Sequence, residues 1–491
     1  MPQKYRLLAE HYMKAIESGS LSEGERMPSL RELTALHRVS ISTAVEACRV
    51  LEKHGYVEAK PRTGYFIRDP KRAITRFKEK REIEADGTEQ RIDPADYVGV
   101  HERISVTLAR GLQRPPKVDL AGAVCAPALY PGAALRDTLL RILRAKPSMY
   151  ESAPQSDGVR KLKEAIARSS VTRGLHVDAD AVLVTHGCSE ALSLALRAVT
   201  GPGDIVAIES PSYFGILQII ESLGLKAIEI PTDPQTGMSV DALEFAINHM
   251  GSIQAVVCMP SVQNPLGSVM PDTLKIKMVE LCDKHNMTII EDDTYGAFLP
   301  SPANARPLKA WDKTGNVIYC NSLNKSLSPG LRVGWLIGGK WHKKIEMLMY
   351  AVSRHREEMA QLAAADFMAG GAFNRHMRRL NALLTQQRTQ FVDAILRYFP
   401  AGTVVTRPEA GLLLWISLPD ELSTDTLFEN ALREGIRICP GSIFSNTSKF
   451  SNCLRLSAGR PFDAQIDAAL KTLARLTREI GGNGTLIEHH P

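Results

Sequence analysis

No apolar run in the 491 residues approaches the ~18 needed to cross a bilayer, so no membrane span is expected. The opening residues, Met1-Pro2-Gln3-Lys4-Tyr5, lack the basic-then-apolar order of a secretory leader. The eight cysteines are scattered, none forms C-x-x-C, and the chain is too long for a disulfide-stapled scaffold. A reducing cytoplasm is the expected setting. No cluster of metal-ligand residues stands out, and His489-His490 reads as tail. No internal repeat is evident. Excess charge is also scarce: 60 Lys/Arg against 54 Asp/Glu leave +6. Most of it sits at one end, since residues 1–72 hold 13 basic and 9 acidic residues, a balance of +4. A polyanion partner for that end is one reading, and a solvated basic face is the other. With 44% hydrophobic residues the chain can bury a large core, and its length predicts two or more domains.

In the N-terminal segment Tyr5, Leu8, Ala9, Tyr12 and Ile16 recur at helical spacing, and Gly19 closes that helix. Ser29-Leu30-Arg31-Glu32 has the form of a capping box and predicts a short helix over 30–37. Ser40 can cap a third helix over 41–54, stopped by Gly55, with Ala44, Cys48 and Leu51 on its apolar stripe. Two short strands, 56–59 and 65–68, flank the turn Lys60-Pro61-Arg62-Thr63-Gly64. Helix, short helix, helix and hairpin make a winged helix-turn-helix.

The segment resembles the DNA-binding domain of GntR-type bacterial regulators. The matching stretches run from Gly24 to Leu33, from Val39 to Ala44, from Leu51 to Val57 and from Thr63 to Phe66. They depart at Ile41, where the family usually has a polar or basic residue. The resemblance implies double-stranded operator DNA as partner. Ser29 and Arg31 would meet phosphates, Ser42, Thr43 and Arg49 would enter the major groove, and Arg62 with Thr63 would form the wing tip. Ser29 and Ser40 can equally be helix caps alone.

The domain boundaries read as a winged domain over 1–69, a linker over 70–115, a large domain over 116–480 and a tail over 481–491. Charge is densest over 70–95, and Arg114-Pro115-Pro116-Lys117 is a second break. Beyond it, apolar runs alternate with helical patterns: 181–185 before 189–199, 205–208 before 214–223, 227–230 before 240–250, and 255–259 before 272–285. Such alternation predicts a mainly parallel sheet covered on both faces. Its ligands are expected at the carboxyl ends of strands. From about Trp341 onward a helical region and shorter strands predict a smaller α+β subdomain.

The polar residues that carry chemistry fall at those strand ends. Lys325 lies in a polar turn after 317–320, Asp292 and Tyr295 follow 287–290, and Asn264 follows 255–259. An amine, a carboxylate, a phenol and an amide so placed are a set that can hold pyridoxal 5'-phosphate. Asp293 is chemically able too, but period 2 turns it to the other face of the sheet.

Residues 118 to about 480 resemble the fold-type I, class I/II aminotransferases. A GntR-like domain fused to that fold is the arrangement of the MocR subfamily, which the whole chain resembles. By that resemblance Lys325 forms the Schiff base with the cofactor aldehyde, and Asp292 pairs with the pyridine nitrogen. Tyr295 and Asn264 hydrogen-bond the ring hydroxyl, and Tyr213 stacks on the ring. Gly187, Cys188 and Ser189 at a helix start, with Ser322 and Arg332, take the phosphate. Tyr150 reaches the phosphate of a partner subunit. Arg455 binds the carboxylate of an amino-compound effector or substrate, with Asn264 beside it. Bland alternatives stay open: Asn264-Pro265 as an ordinary turn, Tyr213 as core, Arg455 in a structural ion pair. A head-to-tail homodimer is implied. The expected function is a PLP-dependent regulator that senses an amine by exchange at Lys325. The rivals are a working aminotransferase with an accessory DNA-binding domain and a degenerate domain that only dimerises.

Overall fold

The computed structural model describes residues 4–67, apart from 18–20, 22–24, 38, 54–55 and 61–63. It further describes residues 100–482, apart from 114, 152–155, 250–251, 301–305, 420–421 and 448. The chain divides into two units, Met1–Arg91 and Ile92–Pro491.

The first unit holds α1 (Lys4–Glu17), α2 (Leu30–His37), α3 (Ile41–Lys53), β1 (Val57–Lys60) and β2 (Gly64–Ile67). The expected stripes meet in one core: Leu8, Tyr12 and Ile16 of α1 pack with Leu33, Ala44, Cys48 and Leu51. The capping box forms as the sequence predicts. The Ser29 amide donates to Glu32 Oε2 at 2.7 Å, and the Glu32 amide donates to Ser29 Oγ at 3.3 Å. These bonds satisfy amides that a helix start otherwise leaves unpaired. Ser40 caps α3 likewise, accepting from the Thr43 amide at 3.2 Å. β1 and β2 pair antiparallel with Val57 opposite Ile67, and Arg26 bridges to Phe66 at the edge.

The second unit begins with α4 (Val100–Leu112), β3 (Val118–Asp119), α5 (Gly132–Ala145) and α6 (Arg160–Val171). Then come β4 (Val182–Thr185), α7 (Cys188–Val199), β5 (Ile205–Ser210), α8 (Phe214–Ser222), β6 (Lys226–Asp233) and β7 (Gly237–Met238). α9 (Val240–His249), β8 (Ile253–Cys258), α10 (Asp272–Lys284), β9 (Thr288–Asp292), β10 (Val317–Ser322) and β11 (Gly334–Ile337) complete the large sheet. The strand order is β4-β11-β10-β9-β8-β5-β6-β7. The run β10-β9-β8-β5-β6 is parallel, whereas β11 is antiparallel to both its neighbours and β7 to β6. Both faces are covered, as near-continuous apolar strands require. Val206, Ile208 and Ile290 face the α7 side, while Ala207, Ile289 and Val317 face α9 and α10.

The smaller subdomain follows α11 (His342–Val352) and α12 (Glu358–Ala369). It comprises α13 (Ala372–Tyr398), β12 (Val404–Val405), β13 (Leu413–Ser417), α14 (Thr424–Arg433), β14 (Ile436–Arg437), β15 (Cys439–Pro440), β16 (Cys453–Ser457) and α15 (Ala464–Gly482). Its sheet runs β12-β13-β16-β15 over a core that includes Phe391, Leu427 and Leu473. No described helix is long and apolar enough to cross a membrane.

Two expected boundaries are corrected. The linker drawn over 70–115 is too long, because α4 lies inside it with Ile104 fully buried against the sheet core. The tail drawn from Gly481 is also misplaced, since α15 continues through Gly481 to Gly482. Ile480, just before it, packs against the core of the smaller subdomain, so tertiary contact holds a helix where local composition suggests a break.

Candidate cofactor and effector site

The carboxyl ends of β4, β5, β8, β9 and β10 open on a cavity of about 360 Å³. Lys325, Asp292, Tyr295 and Asn264 all line it, as do Tyr213, Ser322 and Arg332. Cys188, Ser189 and Arg455 lie on its wall as well, whereas Gly187 and Tyr150 of the expected set are not among its lining residues. These residues span 267 positions of sequence, from Cys188 to Arg455, and parallel strands with crossover helices gather them.

Lys325 sits in the turn after β10, where the Leu323 amide bonds the Val333 carbonyl at 2.9 Å and closes the loop. Its ammonium is pulled down from 10.5 to about 8, first by burial and then by the positive charges of Arg455 and Arg332, with Asp292 opposing. With its titration brought to about 8, the amine is still mostly protonated at neutral pH, but a far larger share of it is free base, and so nucleophilic, than of an ordinary lysine. Asp292 ends β9 and is 4% exposed. It accepts from the Thr294 amide at 3.0 Å and from Cys188 Sγ at 3.4 Å, both at Oδ1. Burial pushes its carboxyl up, so a cation beside it would restore the charged form.

Asp293 lies away from this cavity, as period 2 predicts. Its carboxylate is held by Arg173, by the Tyr319 hydroxyl at 2.6 Å and by Asn321 Nδ2 at 3.1 Å. Tyr295 is 3% exposed, donates to the Ala123 carbonyl at 3.3 Å, and has its phenol raised by burial. Asn264 Oδ1 accepts from Arg455 Nη1 at 2.9 Å. Tyr213 borders the cavity with its ring 5.0 Å from that of Phe214, and burial raises its phenol too.

Gly187 precedes α7 with φ of 91°, a region open to glycine and strained for other residues. A Cβ there would stand 2.9 Å from Asn324 Nδ2 and 3.1 Å from Arg332 Nη2, so a side chain would fill the cradle. Arg332 takes a left-handed φ of 52° and donates to the His186 carbonyl at 2.9 Å. Ser322 Oγ and Asn324 Oδ1 are buried without partners, which points to a polar ligand on that wall. An N-terminal helix turn, a glycine cradle, a guanidinium and an orphaned hydroxyl fit a phosphate dianion. With the carboxylate, phenol and amine above, they fit pyridoxal phosphate. Cys188 is the exception among the expected phosphate ligands: its thiol points to Asp292, leaving only its amide for that role.

Arg455, on β16, is 2% exposed. It donates to Asn264 and, at 2.7 Å, to the Ala121 carbonyl; its Nε has no partner. No carboxylate pairs with it among the described residues, which removes the structural ion-pair alternative. Its guanidinium lies 5.0 Å from the Phe444 ring centroid. Tyr150 is 66% exposed, its hydroxyl is 3.1 Å from Met359 Sδ, and it does not line the cavity of its own chain.

In the first unit Ser29 and Thr43 take part in the helix starts described above. Arg31, Ser42 and Arg49 lie on α2 and α3, with side chains outside the described residues, as are Arg62 and Thr63 entirely. Sequence reasoning missed Thr107, Leu108, Gly111 and Leu112, which α4 contributes to the cavity wall, and Phe428 and Ile438 of the small subdomain. The repeat Ile104, Leu108, Leu112 was a usable signal for α4.

The fold and the site together define a class I and II aminotransferase framework joined to a helix-turn-helix. The class I and II aminotransferase family matches residues 129–473, and the gntR family of bacterial regulatory proteins matches residues 4–67. The chain belongs to the aminotransferase family, in the form that carries a GntR-type domain. Escherichia coli K12 supplies two relatives of the same two-part length. The uncharacterized HTH-type transcriptional regulator YjiR is 36% identical, over 96% of this chain and 98% of its own. The uncharacterized regulator YdcR is 32% identical, over 97% and 99%. Among solved structures, the α-aminoadipate aminotransferase LysN from Thermus thermophilus, complexed with N-(5'-phosphopyridoxyl)-L-leucine, is similar. It superposes with a TM-score of 0.71 at 26% identity, covering 77% of this chain and 95% of its own.

Proposed function

We propose that the protein is a pyridoxal-phosphate-dependent transcriptional regulator of the MocR type, whose aminotransferase-like unit senses an amino compound. One observation carries the reading: a complete cofactor-and-carboxylate constellation shares a chain with a winged helix-turn-helix whose caps and core are formed. When bound, the cofactor supplies an aldehyde open to amines and a ring that withdraws electrons. Lys325 offers the resident amine, made easier to deprotonate by burial and by nearby cations. Asp292 keeps the pyridine nitrogen protonated. Asn264 and Tyr295 orient the ring, Tyr213 covers it, and Ser322, Arg332 and the amides before α7 hold the phosphate. Arg455 would take the effector carboxylate, which would bring the effector amine to the cofactor aldehyde beside Lys325. The winged unit binds operator DNA in the cytoplasm. A head-to-tail homodimer belongs to the proposal, matching protein symmetry to paired half-sites, with Tyr150 of each chain offered to its partner.

The test is operator affinity, measured with and without candidate amines in the wild type and in Lys325→Ala. The reading expects an amine effect that the variant loses. An amine effect of equal size in Lys325→Ala would refute sensing through that residue. The intact set of Lys325, Asp292 and Tyr295 in the cavity favours a second reading, a working aminotransferase. Sustained conversion of an amino donor to its keto acid, with no change in operator affinity, would establish that one instead.

A further inference from the structure

The helix α4 stands before the cofactor fold in sequence, yet it builds one side of the cavity. Thr107, Leu108, Gly111 and Leu112 all line it, and their spacing is one helical face. Leu108 also packs onto the sheet core, whereas Leu112 is 70% exposed, an uncovered apolar side chain at the cavity edge. Side-chain hydrogen bonds tie the helix to the smaller subdomain. Arg103 Nη2 donates to the Ser445 carbonyl at 2.6 Å, and Arg110 Nη1 to Glu429 Oε1 at 2.6 Å. From the small subdomain Phe428 and Ile438 line the same cavity.

Gly111 keeps this end open. A Cβ there would stand 3.2 Å from Arg437 Cδ and 3.8 Å from Phe428 Cζ. Arg437, the cation that lines this end among the described residues, is already engaged. Arg437 donates to both oxygens of Asp119 and, through Nη1 at 3.2 Å, to the Gly111 carbonyl. A second carboxylate on a ligand would have to compete with Asp119 for it. With the ligand amine directed to the cofactor at Lys325 and its carboxylate to Arg455, the lining that remains for a substituent is this largely apolar wall.

We propose that α4 reads the side chain of the effector, and that the effector is an amino acid with a branched or aromatic apolar side chain. Leu108 and Leu112 form one wall of that subsite, Phe428 and Ile438 the other, and Gly111 sets the width between them. The inference rests on the sensing function proposed above and deepens it. An apolar ligand group would cover Leu112, which water otherwise meets. The element that reads the ligand is also the first described element after the segment leading from the winged unit.

The test uses full-length protein loaded with pyridoxal phosphate and follows the cofactor's absorbance during titration with single amino acids. L-Leucine or L-phenylalanine should reach half-saturation at a concentration roughly tenfold or more below that of L-alanine or L-glutamate. Leu112→Glu changes an exposed position, so the protein should fold, and its leucine-to-lysine preference should fall. Gly111→Leu should lose response to leucine and phenylalanine while keeping that to alanine. These are ratios within one protein, so a general loss of stability does not move them. Equal half-saturation by leucine, alanine, glutamate and lysine in the wild type would overturn the inference alone. So would an unchanged leucine-to-lysine ratio in folded Leu112→Glu. Absence of any spectral response to any amine would overturn the sensing function as well.

Discussion

Replacing Lys325 by methionine should stabilise the cofactor-free protein at neutral pH. Burial, then the charges of Arg455 and Arg332, bring the ammonium from 10.5 to about 8. Below pH 8 the lysine is protonated in both folded and unfolded chains, and the folded chain carries the whole cost of burying the charge. Between pH 8 and 10.5 the folded state gives up the proton while the unfolded state keeps it, so stability rises with pH. Above both values the cost is gone. The difference corresponds to about 3 kcal/mol at pH 7. Methionine has similar bulk and no charge, so it removes this cost with little change in packing. For the roughly 400 residues of the second unit, unfolding entropy makes that about 4 °C in Tm. Calorimetry on apo wild type and apo Lys325→Met at pH 7 and pH 10 measures it. The variant should melt higher at pH 7, and the gap should shrink to about a quarter at pH 10. A variant that melts lower at pH 7, or a gap indifferent to pH, would refute the account of how the amine is tuned.

Asp292→Asn should weaken cofactor retention, read by absorbance after dialysis, with little loss of stability. Asp293→Asn should do the reverse, because it strands Arg173 in the interior at a cost of about 3–5 kcal/mol; matching cofactor loss in both would sink the assignment of faces. Operator affinity should fall steeply with salt, with a log–log slope of about −0.9 for each phosphate neutralised, and a flat profile in gel shifts would contradict DNA binding by the winged unit. At pH 8, binding of 4-methylpentanoate to the cofactor-free protein should take up as much as about half a proton, seen as a dependence of calorimetric heat on the buffer's ionisation enthalpy; identical heats in all buffers would exclude coupling between Arg455 and Lys325.

The elements that the sequence made legible are those with local causes. Ser29 and Glu32 bond each other's amides within one turn, so three residues of spacing announce α2. Asp292 and Asp293 were told apart because adjacent residues of a strand face opposite ways, and Arg173 does occupy the far side. The turn that holds Lys325 follows a strand buried along its whole length, which the apolar run showed. What stayed hidden depends on distant partners. α4 packs on α8, more than 100 positions later, and is hydrogen-bonded to Ser445 and Arg437, more than 300 positions later, and the prolines after it read as a break. β3 and β14 are two residues each, paired only through Val118 with Ile436 and Asp119 with Arg437, and so short a pairing leaves no periodicity to detect. Cys188 was expected at the phosphate as part of a helix start, and nothing local announced that its thiol is turned to Asp292 across that start.

The charges around Lys325 explain why a sensor built on this cavity would favour a ligand with two functional groups over a simple amine. Arg455 donates to an amide oxygen and a backbone carbonyl, both neutral, so its full positive charge acts on Lys325. That charge makes the lysine easier to deprotonate and so readier to bond the cofactor aldehyde. An incoming amine must displace the lysine, and the displaced lysine is held best as an ammonium. A ligand carboxylate at Arg455 cancels the charge that opposes this protonation, so binding at one site eases release at the other. An amine without a carboxylate leaves Arg455 uncompensated and must expel Lys325 against it. The ligand that shifts the protein between states is then the one with the larger difference in affinity for them, and Arg455 and Lys325, acting through a single electrostatic coupling, make that ligand an amino acid.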